Sequence, residues 1–296
     1  MQPLASIAVF VATVFLGFLL IGPLVGFIIA VPFYSGDFLT LVDDLSKATT
    51  SEEIRVPFLI MQGCATGVGL IAIPLLAYRF IVKMKPSQLV ANTSAITVML
   101  TAFVVILFMF PNSVIIDWNA NLSFTGGFWD WARDKEDLGE RFTKFITTFG
   151  SVGDFLIGFF IIAVLPALGE EFTFRGWLQP ALQKISGNPH IAIWVSAFLF
   201  SALHMQFFGF VPRMLLGAVF GYLMYWSGNL WIPIVAHLVN NGFAVVMIYM
   251  HQTGAVQFDA ESTEALPLQF VIPGTVIFVG VIFFLKKQIQ ARGQAA

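Results

Sequence analysis

The chain has 296 residues, of which 58% are hydrophobic and only 11% charged, with 33 phenylalanines. Soluble domains carry about 25% charged residues, so this composition excludes a water-soluble globular protein and points to a polytopic membrane protein. Fifteen basic residues against 17 acidic ones, a net charge of −2, exclude a nucleic-acid binder that works by bulk electrostatics. The single cysteine, Cys64, excludes an internal disulfide and a Cys-x-x-Cys zinc site.

Apolar runs of about 20 residues mark the spans. The first covers 6–33; it lacks a basic flank and is too long for a cleavable signal. An acidic connection, 34–55, follows, in which Phe38, Leu41, Val42 and Leu45 share one helical face and predict a short surface helix. Spans at 56–82 and 96–116 lead to a second acidic connection, 117–151, where Trp118, Trp129 and Trp131 fit as interfacial anchors. Further spans at 152–180, 190–210, 212–226, 230–250 and 269–286 bring the total to about eight. The expected fold is all-α: one transmembrane helical domain over 1–296, with its chemical core at about 150–245. Pro57, Pro74 and Pro180 predict kinks that packed neighbours tolerate. Gly63-x-x-x-Gly67 and Gly217-x-x-x-Gly221 predict close helix contacts inside the bundle.

Orientation follows from basic residues at span ends. Arg79, Lys83, Lys85, Lys184, Lys286, Lys287 and Arg292 fall on one side of an even count, opposed by Lys47, Arg55 and Arg213 and by the cations of the acid-rich second connection. Both termini are therefore expected in the cytoplasm, with the cell membrane as the location.

The fourth span carries Gly169-Glu170-Glu171-Phe172-Thr173-Phe174-Arg175, whereas 155–168 hold no charged side chain. An ionised group at bilayer depth costs about 2.5–3.5 kcal/mol on insertion scales, so the default reason for one is function. Glu171 and Arg175, four apart, can pair; Glu170 points about 100° away and is left for another partner. His204 falls in the fifth span, and His237 and Asn241 share one face of the seventh. At about 1.5 Å per residue, the depths of Glu170, His204 and His237 permit one pocket. Each alone has a plain reading as helix glue; together they suit hydrolysis. A carboxylate away from bulk water can act as general base, one histidine can orient the water, and His and Asn donors can meet an oxyanion.

Glu170-Glu171-x-x-x-Arg175, Phe200-x-x-x-His204 and His237-x-x-x-Asn241, in that order on membrane helices, resemble the CAAX prenyl protease and bacteriocin-processing (Abi) family of intramembrane endopeptidases. The resemblance covers roughly 150–245. It implies Glu170 as general base with His204 helping to activate water, and His237 and Asn241 stabilising the oxyanion. Glu171 and Arg175 would hold the site's shape, with Phe200 packing beside His204. It also implies a peptide or lipidated-protein substrate of the C-a-a-X type; it leaves metal dependence open, and the expectation adopted is a metal-free glutamate mechanism with no cofactor. The alternative is a zinc enzyme with Glu170, His204 and His237 as ligands. Rivals from other classes are a transporter or proton relay and a non-catalytic immunity or scaffold protein.

Overall fold

A computed structural model describes residues 1–46 and 50–293; Lys47, used above for orientation, lies outside them. It is all-helical. We number the helices α1 (Pro3–Phe33), α2 (Phe38–Ser46), α3 (Glu52–Phe80), α4 (Ala95–Ala120), α5 (Gly127–Ile146), α6 (Val152–Ser186), α7 (Pro189–Ala202), α8 (Phe207–Ser227), α9 (Trp231–Gln252) and α10 (Leu268–Gly293).

Seven of these, α1, α3, α4, α6, α8, α9 and α10, are long and apolar enough to cross a membrane. The remaining expected span, 190–210, forms a shorter helix, α7, of 14 residues. That is about 21 Å of helix against a hydrocarbon core of about 30 Å. The chain turns because Met205 takes a left-handed conformation (φ 55°) and polar groups on α4 and α5 capture the turn. The apolar stretch Phe207–Phe210, which the hydropathy pattern joined to α7, begins α8 instead.

The predicted surface helix is α2, whose Leu41 is buried against Tyr34, Ile54 and Phe145. The connection 117–151, expected only as a loop with anchoring tryptophans, contains the 20-residue amphipathic helix α5. Its Phe142 stacks on Phe58 of α3 at 4.8 Å between ring centroids.

α1 packs along α3, α7 along α8, and α10 along α4. One core joins Phe10, Tyr78, Phe172, Trp177 and Phe200; a second joins Val104, Val105, Phe220, Leu223, Ile232 and Leu285. Large apolar side chains such as Leu4, Leu24, Phe80, Ile96 and Val276 remain exposed, the outward surface expected of a bundle solvated by lipid. Gly217 and Gly221 approach α6 and α7 closely as predicted, but Gly67 has open space around it. The tighter crossing is Gly17 against Gly69, where a Cβ on Gly17 would stand 2.6 Å from the Gly69 carbonyl oxygen.

Widened π turns occur at Gly17–Ile21, Gly67–Ala72, Phe160–Val164 and Phe172–Leu178. Each is followed within two residues by a proline: Pro23, Pro74, Pro166 and Pro180. Proline has no N–H for the carbonyl four residues back and clashes with it, so the turn before it opens. Two of these turns flank the Glu170–Glu171 pair.

Candidate active site

Phe172 through Leu178 are all buried, so α6 runs through the middle of the bundle at the Glu pair. A charge there needs partners. Arg175 Nη1 donates to Glu171 Oε1 at 2.8 Å, with both side chains 0% exposed. Nη2 donates to the carbonyl oxygen of Gly217 on α8 at 2.8 Å, and the guanidinium lies 4.6 Å from the Phe200 ring centroid. Gly217 makes room for this: a Cβ there would sit 3.1 Å from Nη2 and 3.2 Å from the Phe200 ring.

The same Glu171 oxygen accepts Nδ1–H of His237 on α9 at 2.8 Å. A histidine's free nitrogen is set by the bond the other one makes. With Nδ1 donating, Nε2 carries the lone pair, and Asn241 Nδ2, one turn along α9, donates to it at 3.1 Å. The amide also reaches the Ile162 carbonyl at a longer 3.3 Å, and its Oδ1 accepts from Asn240 at 3.1 Å. Arg175, Glu171, His237 and Asn241 thus form one hydrogen-bonded chain across α6 and α9. The His237 ring is held flat by Phe220, stacked at 5.3 Å.

Glu170 stands apart from that chain. Among the described residues its carboxylate makes no hydrogen bond, and its Oε2 lies 3.9 Å from His237 Nε2. That exceeds direct bonding distance and leaves space for a third group touching both.

His204 lies in the turn after α7, not within a helix as the pattern implied. Its Nδ1 donates to the Phe200 carbonyl at 2.9 Å, which leaves Nε2 as an acceptor. The Phe200 ring is centred 5.1 Å from the His204 ring and 6.1 Å from that of His237. Phe200 therefore links the two imidazoles, which make no direct contact among the described residues. On its other side His204 lines a cleft of about 410 Å³ between α3 and α5, walled by Phe58, Gln62 and Phe142.

The turn bearing His204 is fastened by residues that the sequence reading left outside the site. Glu136 of α5 accepts the Phe208 N–H at 2.9 Å. Asn119 of α4 donates to the Phe207 carbonyl at 3.3 Å and accepts the Val211 N–H at 2.8 Å. Arg213 donates to Gln206 at 2.9 Å, and Arg133 lies 3.3 Å from the Phe208 ring centroid. Burial pushes the Glu136 carboxyl above its ordinary range, opposed by the Phe208 N–H and by the charge of Arg213. In the sequence the signal for this fastening is Arg213, a charge in an apolar run.

Glu170, His204 and His237 do not assemble as a metal site. Among the described residues no three His, Cys, Asp or Glu side chains are placed to hold an ion. Both ring nitrogens of His237 are also engaged, by Glu171 and by Asn241.

Residues 152–243 match the family described as type II CAAX prenyl endopeptidase, Rce1-like. YpbD of Bacillus subtilis, an uncharacterized protein, is 30% identical over 82 residues, 26% of this chain and 39% of its own length. The membrane-embedded CAAX protease MroQ of Staphylococcus aureus is 31% identical over 93 residues, 29% of this chain and 37% of its own. The matched stretch therefore spans less than two-fifths of either relative. No solved structure matches the chain. The resemblance to CAAX prenyl proteases is borne out over the segment that contains all seven candidate residues, Glu170 through Asn241.

Proposed function

We propose that the protein is an intramembrane endopeptidase that cuts a peptide bond near the C-terminus of a membrane-bound, CAAX-type prenylated substrate, using a glutamate-activated water and no metal. The observation that carries this reading is the division of labour within the Glu pair. Glu171 Oε1 accepts from both Arg175 and His237, whereas Glu170, beside them, has no hydrogen bond among the described residues. A carboxylate left without a hydrogen bond beside that bonded chain is suited to take a proton from water.

In the proposed reaction Glu170 removes a proton from water while His204 Nε2 accepts the other water hydrogen and aims the oxygen. The oxygen bonds to the scissile carbonyl carbon, and the carbonyl electrons move to its oxygen. The Asn241 amide, releasing its long bond to Ile162, donates to that oxyanion. His237 orients this amide through Nε2 and donates to the oxyanion itself only when Nε2 is protonated. The tetrahedral centre then expels the amine as its C–N bond breaks, and Glu170 returns the proton to the leaving nitrogen. One such oxyanion donor is worth about 10²–10³ in rate. We place the protein in the cell membrane with both termini in the cytoplasm, on the strength of the basic residues at the span ends and with the short α7, packed along α8, counted as the eighth passage.

The test is cleavage of an S-farnesylated C-a-a-X peptide by purified protein, read by mass spectrometry. Wild type should release the C-terminal fragment. Glu170→Gln and His204→Ala should lose turnover by about 10²–10⁴-fold while unfolding at the wild-type temperature. Undiminished turnover in Glu170→Gln would sink the assignment.

A further inference from the structure

Outside the Glu171 chain, one cation near the site has a donor to spare. Nη1 of Arg213 is shut off from solvent and has no hydrogen-bond partner among the described residues; Nη2 is engaged by Gln206. Leaving a buried N–H on a charged group unpaired is costly, so such a donor marks the place of a missing acceptor. The other nearby cation, Arg133, is occupied by the Phe208 ring and the Leu122 carbonyl.

Arg213 lines a cavity of about 430 Å³ whose walls include Glu136, Asn112 and Asn240. Asn112 Oδ1 is a second buried polar atom without a partner there. Asn240 joins this cavity to the site, because its Nδ2 donates to Asn241 Oδ1. Along α8, Arg213 precedes by one turn, about 6 Å, the residue Gly217 whose carbonyl receives Arg175. The cavity thus adjoins, through Asn240, the Asn241 amide proposed to meet the oxyanion, and offers the unspent Nη1 of a guanidinium.

Resting on the protease reading above, we propose that Arg213 binds the terminal carboxylate of the substrate, so that the enzyme measures its cut from a free C-terminus. A guanidinium is shaped for a carboxylate, and the bond between them is charge-assisted. An extended chain advances about 3.3–3.6 Å per residue, so a leaving fragment of a few residues is of a length to reach from the scissile bond to a cation one turn along α8 from Gly217.

The experiment uses two S-farnesylated peptides that differ only in ending as a carboxylate or as an amide, with wild type, Arg213→Met, Arg213→Lys and Glu170→Gln. Wild type should cut the acid with a kcat/KM about 10–100-fold above the amide. Arg213→Met also loses the Gln206 bond and should slow the amide, so the readout is the acid-to-amide ratio: it should fall to about one in Arg213→Met and be partly restored in Arg213→Lys. The short acid fragment released should inhibit wild type and not Arg213→Met. Equal cleavage of both peptides by wild type, with Glu170→Gln inactive, discards the role of Arg213 and keeps the protease. An equal slowing of both peptides by Arg213→Met also discards it. If Arg213→Met does not fold, the wild-type acid-to-amide ratio and product inhibition decide alone. Failure of wild type to cut either peptide sinks the protease reading itself, and this inference with it.

Discussion

Replacing the two adjacent glutamates one at a time should give opposite outcomes. Glu171→Ala removes the acceptor of two buried donors, Arg175 Nη1 and His237 Nδ1, each at 2.8 Å. It leaves a guanidinium that is 0% exposed without its counter-charge. Breaking a buried pair in this way costs about 3–5 kcal/mol, and the loss should appear as a large drop in unfolding temperature of the detergent-solubilised protein. Glu170→Gln removes a carboxylate with no hydrogen bond, so its effect on stability should be within about 1 kcal/mol, while turnover falls by orders of magnitude. The assay is thermal unfolding followed by tryptophan fluorescence, with peptide cleavage measured on the same preparations. If Glu171→Ala unfolds at the wild-type temperature, or if Glu170→Gln is the more destabilised of the two, the division of roles between the two glutamates is refuted.

Three other outcomes are expected. Gly69→Ala should lower stability by about 1–3 kcal/mol, because its Cβ would stand 2.5 Å from the Gly17 carbonyl oxygen and only backbone movement relieves it; an unchanged unfolding midpoint would show that α1 and α3 do not cross there. The folded state raises the Glu136 carboxyl above its ordinary 4.5. It therefore binds that proton more tightly than the unfolded chain does, and stability should fall as pH rises from 4.5 through the folded value. Unfolding midpoints against pH should show this slope in wild type and not in Glu136→Gln. Finally, activity should survive chelation, and metal analysis should find no stoichiometric zinc; loss on chelation with recovery on adding zinc would replace the metal-free mechanism.

The helical bundle was legible because lipid leaves a chain few options. Every backbone polar group must be satisfied within its own segment, so apolar runs read directly as helices, and an isolated charge in one of them, such as Glu170 or Arg175, is conspicuous. The i,i+4 pairs Glu171–Arg175 and His237–Asn241 were legible for a related reason: one helix fixes their geometry without reference to any other. The limits lay where helices meet. Hydropathy carried the fifth span through His204 to 210, because Phe207–Phe210 is as apolar as a span. What ends α7 at Ala202 is capture of the next turn by Asn119 and Glu136, residues 83 and 66 positions away from it. The amphipathic helix α5 was hidden by its charge, since its packing partner is α3 and not a sequence neighbour.

Local patterning thus determined which segments enter the membrane and which side chains share a helical face, because both depend on neighbours within about one turn. Tertiary structure alone decided which glutamate His237 would hold, that Phe200 would stand between the imidazoles, and that Arg213 would face a cavity beside the site. Those relations depend on the rotation of one helix against another, and that is set by side-chain interlocking at crossings such as Gly17–Gly69 and Gly217–Arg175.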